Sequence, residues 1–194
     1  MGKILKRLML LLVVILLLLG GALWWLVSYV APDEQLDLSY APIDVKGKAL
    51  DMVKNLKPEL VLTETDLDHL IKQNLKNDYG IGDANSSAIM LREDVRLDGA
   101  RFELEENRLV AHLNVTYKER LPAALEAVYA LEWQPPNIVL RPQSLFLKKS
   151  RLPLSMLDTI IIPLDLPAYD VVTIGDVQFE QERIRIGFKL QFSL

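Results

Sequence analysis

Hydrophobic and polar positions along this chain fall into three regimes, and each predicts a different kind of element. From Leu8 to Val27 run 20 consecutive uncharged residues, drawn from Leu, Met, Val, Ile, Ala, Trp and Gly, and Ser28, Tyr29 and Val30 prolong the stretch. Twenty helical residues rising about 1.5 Å each reach about 30 Å, the thickness of a bilayer's hydrocarbon core. Residues 1–30 are therefore expected to be a transmembrane anchor. A cleaved signal sequence starts the same way, but its apolar stretch is shorter and ends at regularly spaced small residues. Here the exit, Leu26-Val27-Ser28-Tyr29-Val30-Ala31, places large residues at that spacing. Lys3, Lys6 and Arg7 precede the run, whereas Asp33, Glu34 and Asp37 follow it. That asymmetry predicts a cytoplasmic N-terminus and everything after the anchor on the far side.

The second regime is helical. Residues 31–45, with Pro32 and Pro42, read as an extended linker, and residues 46–194 as one domain of ordinary size. Ala49, Met52, Val53 and Leu56 recur at helical spacing on a short helix that Pro58 should end. Thr63 and Asp66 have the spacing of a capping box with Asp in place of Glu, and Leu67, Leu70, Ile71 and Leu75 then form one apolar stripe. Gly80, Gly82 and Asn85-Ser86-Ser87 read as a loop.

From about Val95 the period becomes two. Leu109, Ala111, Leu113, Val115 and Tyr117 alternate with wetter residues behind a turn at Glu105 to Arg108. Val128 to Trp133 and Ile138 to Leu147 predict a strand pair joined at Gln134-Pro135-Pro136-Asn137, since two prolines do not serve a ladder interior. Leu152 to Ile162 reads as a short helix. Ile184, Ile186, Phe188, Leu190 and Phe192 alternate without exception, in a hairpin closed by Glu180 to Glu182. The apolar phase flips twice. Across Gly175-Asp176 the flip predicts a β-bulge; across Asp98-Gly99 it fits either a bulge or a two-residue hairpin turn. Bulges bend and twist a strand, so the expected fold is α+β: a transmembrane helix followed by a curved antiparallel sheet packed on one or two amphipathic helices.

Charge and chemistry narrow the function classes. Nineteen of the 22 basic residues and all 26 acidic ones follow residue 30, a formal charge of −7 that disfavours nucleic acid as a partner. The absence of cysteine excludes disulfides, thiolate metal sites and cysteine nucleophiles. No hydrolase, zinc-protease, P-loop or dinucleotide motif is present, and the two histidines, His69 and His112, lack partners at metal-ligand spacing. No enzyme activity, cofactor or metal site is expected. Glu64, Asp66 and Asp68 suit a helix start, with a hard-cation site as the sharper alternative. Lys148, Lys149 and Arg151 read as a solvated strand edge or as a contact for anionic lipid headgroups.

The basic-flanked anchor, Leu62-Thr63-Glu64-Thr65-Asp66-Leu67 at a helix start, the long alternating strands, and Leu145-Phe146-Leu147 followed by Arg151-Leu152-Pro153-Leu154 resemble the YpmS family. These are membrane-anchored proteins of low-GC Gram-positive bacteria, a domain of unknown function. The resemblance implies a relation to tubular lipid-binding folds, in which a curved sheet wraps a helix around an acyl chain. On that basis Leu67, Leu70, Ile71, Ile186, Phe188 and Leu190 are candidate walls of an apolar groove. The expected function is extracytoplasmic binding of membrane lipid or another apolar ligand. The alternative is a non-catalytic envelope interaction or assembly protein with a protein partner.

Overall fold

The computed structural model describes residues 2–54, 59–79, 88–164 and 172–190. Helix α1, Gly2–Val30, contains a stretch, Leu5–Val30, long and apolar enough to cross a membrane. Every residue from Leu5 to Tyr29 is exposed, and the Trp25 and Tyr29 rings stack at 5.6 Å near its end. From Leu8 to Val27 no polar face interrupts the helix, as a helix lying against a soluble core would require.

Two further helices, α2 (Val45–Lys54) and α3 (Glu64–Tyr79), precede nearly all the strands. Helix α3 starts where the sequence places it. The Thr63 N–H donates to Asp66 Oδ2 at 3.0 Å and the Asp66 N–H to Thr63 Oγ1 at 3.2 Å, a reciprocal capping box. Leu67, Leu70, Ile71 and Leu75 are all buried, as the 3.6-residue period demands.

The strands are β1 (Glu59–Thr63), β2 (Ile89–Arg92), β3 (Val95–Glu105), β4 (Arg108–Tyr117), β5 (Leu121–Gln134), β6 (Asn137–Leu147), β7 (Ser150–Arg151), β8 (Ile160–Pro163), β9 (Val172–Glu180) and β10 (Arg183–Leu190). They form a mixed α+β domain whose curved antiparallel sheet does not close. A seven-stranded sheet runs β2-β3-β4-β5-β6-β7, with β8 on the same outer edge of β6, and a three-stranded sheet runs β1-β10-β9. Both meet at the end of β3, where the Glu182 N–H donates to the Leu104 carbonyl and the Asn107 N–H to that of Phe179.

Both phase flips are bulges. Gly187 faces Asp176 while Phe188 faces Ile174, which leaves Gly175 as the extra residue of β9. Leu97 faces Val115 while Gly99 faces Asn114, so Asp98 is extra and β3 continues through the dipeptide. A third irregularity, at Val128/Tyr129 against Ser144 and Pro142, bends β6 at Gln143.

The helix expected over Leu152 to Ile162 is not there. Its place is taken by a 3-10 turn at Leu154–Met156 and by β8. Ile160, Ile161 and Ile162 are β-branched and meet an unpaired edge of β6, with Ile138 opposite Ile162. The short strands β1 and β2 and the first half of β5 are additions to the sequence reading. The loop expected over 80–87, Leu56 with the helix stop at Pro58, and Phe192 lie outside the described residues, as do the side chains of Met52, Val53 and Leu190.

Candidate functional site

The inner face of the large sheet carries Leu97, Phe102, Ala111, Leu113, Leu125, Tyr129 and Leu145, and α3 crosses it. Toward the C-terminal end of α3 the two layers separate. An apolar cavity of about 100 Å³ opens there between Leu75 and Tyr79 of α3, the inner face of β3 to β6, and Met156, Leu157 and Ile160 of the segment that follows β7. Ala111, opposite Phe102, is the one small residue among the lining side chains, and a longer side chain there would project into the cavity.

The rim of this cavity is polar. Arg92 donates to the Ser155 carbonyl at 3.0 Å and lies 3.7 Å from the Asp158 carboxylate, tying the β2–β3 hairpin to the segment that covers the opening. Burial pushes the Tyr129 phenol well above its ordinary pKa of 10.0, and the nearby Asp158 and Tyr79 raise it further. Tyr129 is therefore a neutral hydroxyl at any physiological pH. An apolar interior with a buried phenol in its wall and one cation and one anion at its edge suits an amphiphile, tail inward and polar group outward.

The residues singled out in the sequence divide differently. Leu67, Ile71 and Ile186 come together in the core with no exposed surface, and Leu70 is buried beside Ile43 and Ile162. Phe188 is half-buried against the same cluster. None of these five lines the apolar cavity, which sits about two helical turns further along α3 than Leu67. Alternation in β3 to β6 identifies the apolar face that walls the cavity without saying whether that face is filled. Ala111 amid Leu109, Leu113 and Val115 is the one sequence signal of incomplete filling.

The acidic residues at the start of α3 already have partners. Glu64 Oε2 accepts from the Leu104 N–H at 2.8 Å, and Asp68 Oδ1 from the Phe102 N–H at 3.0 Å, while Asp68 Oδ2 lies 2.9 Å from Lys72 Nζ. Asp66 holds the cap and Lys48. These carboxylates close the free edge of β3, so the cation reading loses its ligands. Four residues of helix rise about 6 Å and two of strand about 6.8 Å, and the match lets Glu64 and Asp68 reach alternate amides. His112 lies 3.5 Å from Glu103 on the outer face, and His69 is half-buried on α3. Among the described residues no group of three His, Cys, Asp or Glu is placed to hold a metal.

No family model, curated protein or solved structure matches this chain. Lys148 of the basic cluster donates to Asp33 at 2.6 Å, and Lys149 and Arg151 are exposed beside it.

Proposed function

We propose that this protein is a membrane-anchored, non-catalytic binder of an amphiphile, of which membrane lipid is the nearest source, and that α1 holds its domain on the extracytoplasmic face. The observation that carries this reading is the apolar cavity under α3, with Tyr129 in its wall and Arg92 and Asp158 at its rim. The charge asymmetry across α1 supports the orientation. Membership of the YpmS family and kinship with tubular lipid-binding folds are part of the same proposal, and the curved sheet crossed by a helix agrees with them. At about 100 Å³ the cavity is smaller than the roughly 300 to 1,000 Å³ of ordinary ligand pockets. An acyl chain would enter by one end, and the segment around Met156 would move aside to admit more.

The solid packing of Leu67, Ile71 and Ile186 favours a second reading, an envelope interaction protein in which the apolar faces serve only as core. Native mass spectrometry of the full chain released from detergent separates the two. Lipid retained by the parent protein and lost in Ala111→Leu, whose thermal midpoint stays level or rises, supports binding. A parent protein that retains none, with Ala111→Leu merely more stable, leaves the interaction reading in front.

A further inference from the structure

Lys148 Nζ is bonded to Asp33, three residues beyond the last residue of α1. Three residues of fully extended chain reach at most about 11 Å. The turn between β6 and β7 thus lies close to where α1 would leave a bilayer, whose headgroup layers are each about 6 Å thick. Lys149 and Arg151 are exposed at this turn, and among the described residues neither has an ion pair. The chain then passes through Leu154 and Met156, which are apolar yet 39% and 43% exposed. Met156 and Leu157 also wall the apolar cavity. The segment 148–157 therefore connects the exit of the anchor, two unpaired cations, two exposed apolar side chains and the cavity wall.

We infer that this segment is the domain's membrane-contacting edge: Lys149 and Arg151 rest on anionic lipid headgroups, Leu154 and Met156 enter the interfacial layer, and the cavity mouth is thereby turned toward the bilayer. The combination is the one interfacial segments use, cations at headgroup level beside apolar side chains just below. The domain carries excess negative charge elsewhere, so an anionic surface is accepted at this edge and repelled by the rest. Docking rests on the charge, exposure and position of the segment. Only its use in loading the cavity rests on the amphiphile-binding reading.

The chain has no cysteine, so a nitroxide on a single introduced one reports that position alone. In full-length protein reconstituted into phosphatidylglycerol–phosphatidylcholine vesicles, labels at Leu154→Cys and Met156→Cys should collide more with oxygen than with a water-soluble nickel chelate. Gln181→Cys, in the β9–β10 turn that meets the end of β3, should show the reverse. Adding Lys149→Glu with Arg151→Glu should bring positions 154 and 156 to the Gln181→Cys pattern, as should vesicles of phosphatidylcholine alone. Labels at both positions that match Gln181→Cys from the outset overturn the inference, and so does insertion that survives both changes. Insertion without retained lipid would keep the docking edge and remove the amphiphile reading, whereas retained lipid without insertion would do the opposite.

Discussion

The backbone carbonyl of Leu36 lies directly over Gly99, in the space that a Cβ at that position would occupy. The segment after α1 is thereby strapped across the bulge of β3, with Asn114 Nδ2 donating to the Glu34 carbonyl at 2.7 Å and the Ala100 N–H to the Asp37 carbonyl at 3.1 Å. The contact at Gly99 is with backbone, which does not rotate away. Gly99→Ala should cost about 1 to 3 kcal/mol in urea unfolding of the detergent-solubilised chain. It should also open the strap to protease near Leu36. A silent Gly99→Ala would mean that the strap sits on the sheet without depending on it.

Glu64 caps the free edge of β3 rather than a ligand. Glu64→Ala leaves the part-buried Leu104 N–H without its acceptor and should destabilise by about 1 to 3 kcal/mol, while Glu64→Gln keeps an oxygen in place and should cost less. Hydrogen exchange at Leu104 should accelerate in the alanine variant. If the amide exchanges as slowly as before, another group has taken over and the edge argument fails.

Much of this architecture was readable from periodicity, and the misses share a cause. Helix α3 and the hairpins β3–β4, β5–β6 and β9–β10 have long, regular patterns and distinct turns. Strand β1 has only Leu60 and Leu62 to bury before Thr63 begins a helix cap, which is too short a run to register. The start of β5, with Pro122, Ala123 and Ala124, has poor strand propensity and is held by its partner β4, with Pro122 opposite Thr116. Ile160 to Ile162 reads as helix or strand until the edge of β6 decides it. At the site, the sequence identified α3 and the sheet as the facing layers, but the cavity depends on summed side-chain volumes across both, which no single segment encodes.

Ile186 and Arg185 point to opposite faces of β10 and should respond differently to truncation. Ile186 has no exposed surface, so Ile186→Ala should cost about 2 to 5 kcal/mol. Arg185 lies 3.2 Å from Glu180 and 3.4 Å from Glu59 in a partly exposed cluster, where ion pairs contribute about 1 kcal/mol or less. Arg185→Ala should shift the urea midpoint little, and the shift should shrink in high salt. Equal losses in the two variants would contradict the assignment of faces.

The cap of α3 should make stability depend on pH in one direction only. Burial works to raise the Asp66 pKa, but the hydrogen bonds from Lys48 and the Thr63 N–H, with the Lys48 charge, prevail and hold the carboxyl below its ordinary 3.8. A carboxyl lowered in the folded state contributes stability that is fully present above its unfolded pKa and is lost as pH falls through the folded value. The contribution is thus constant near neutrality and disappears below about pH 4. Asp66→Asn keeps an acceptor for the Thr63 N–H and removes the titrating charge, so it should lose less stability than the parent on acidification. Asp37, held low by Ser39, Glu132, held low by Arg141, and Glu180, held low by Arg183, still titrate in the variant, and the acid loss should be reduced rather than abolished. Urea unfolding of both proteins at about pH 6 and about pH 3 measures the difference. Identical losses in the parent and Asp66→Asn would show that the Asp66–Lys48 pair contributes nothing to the cap.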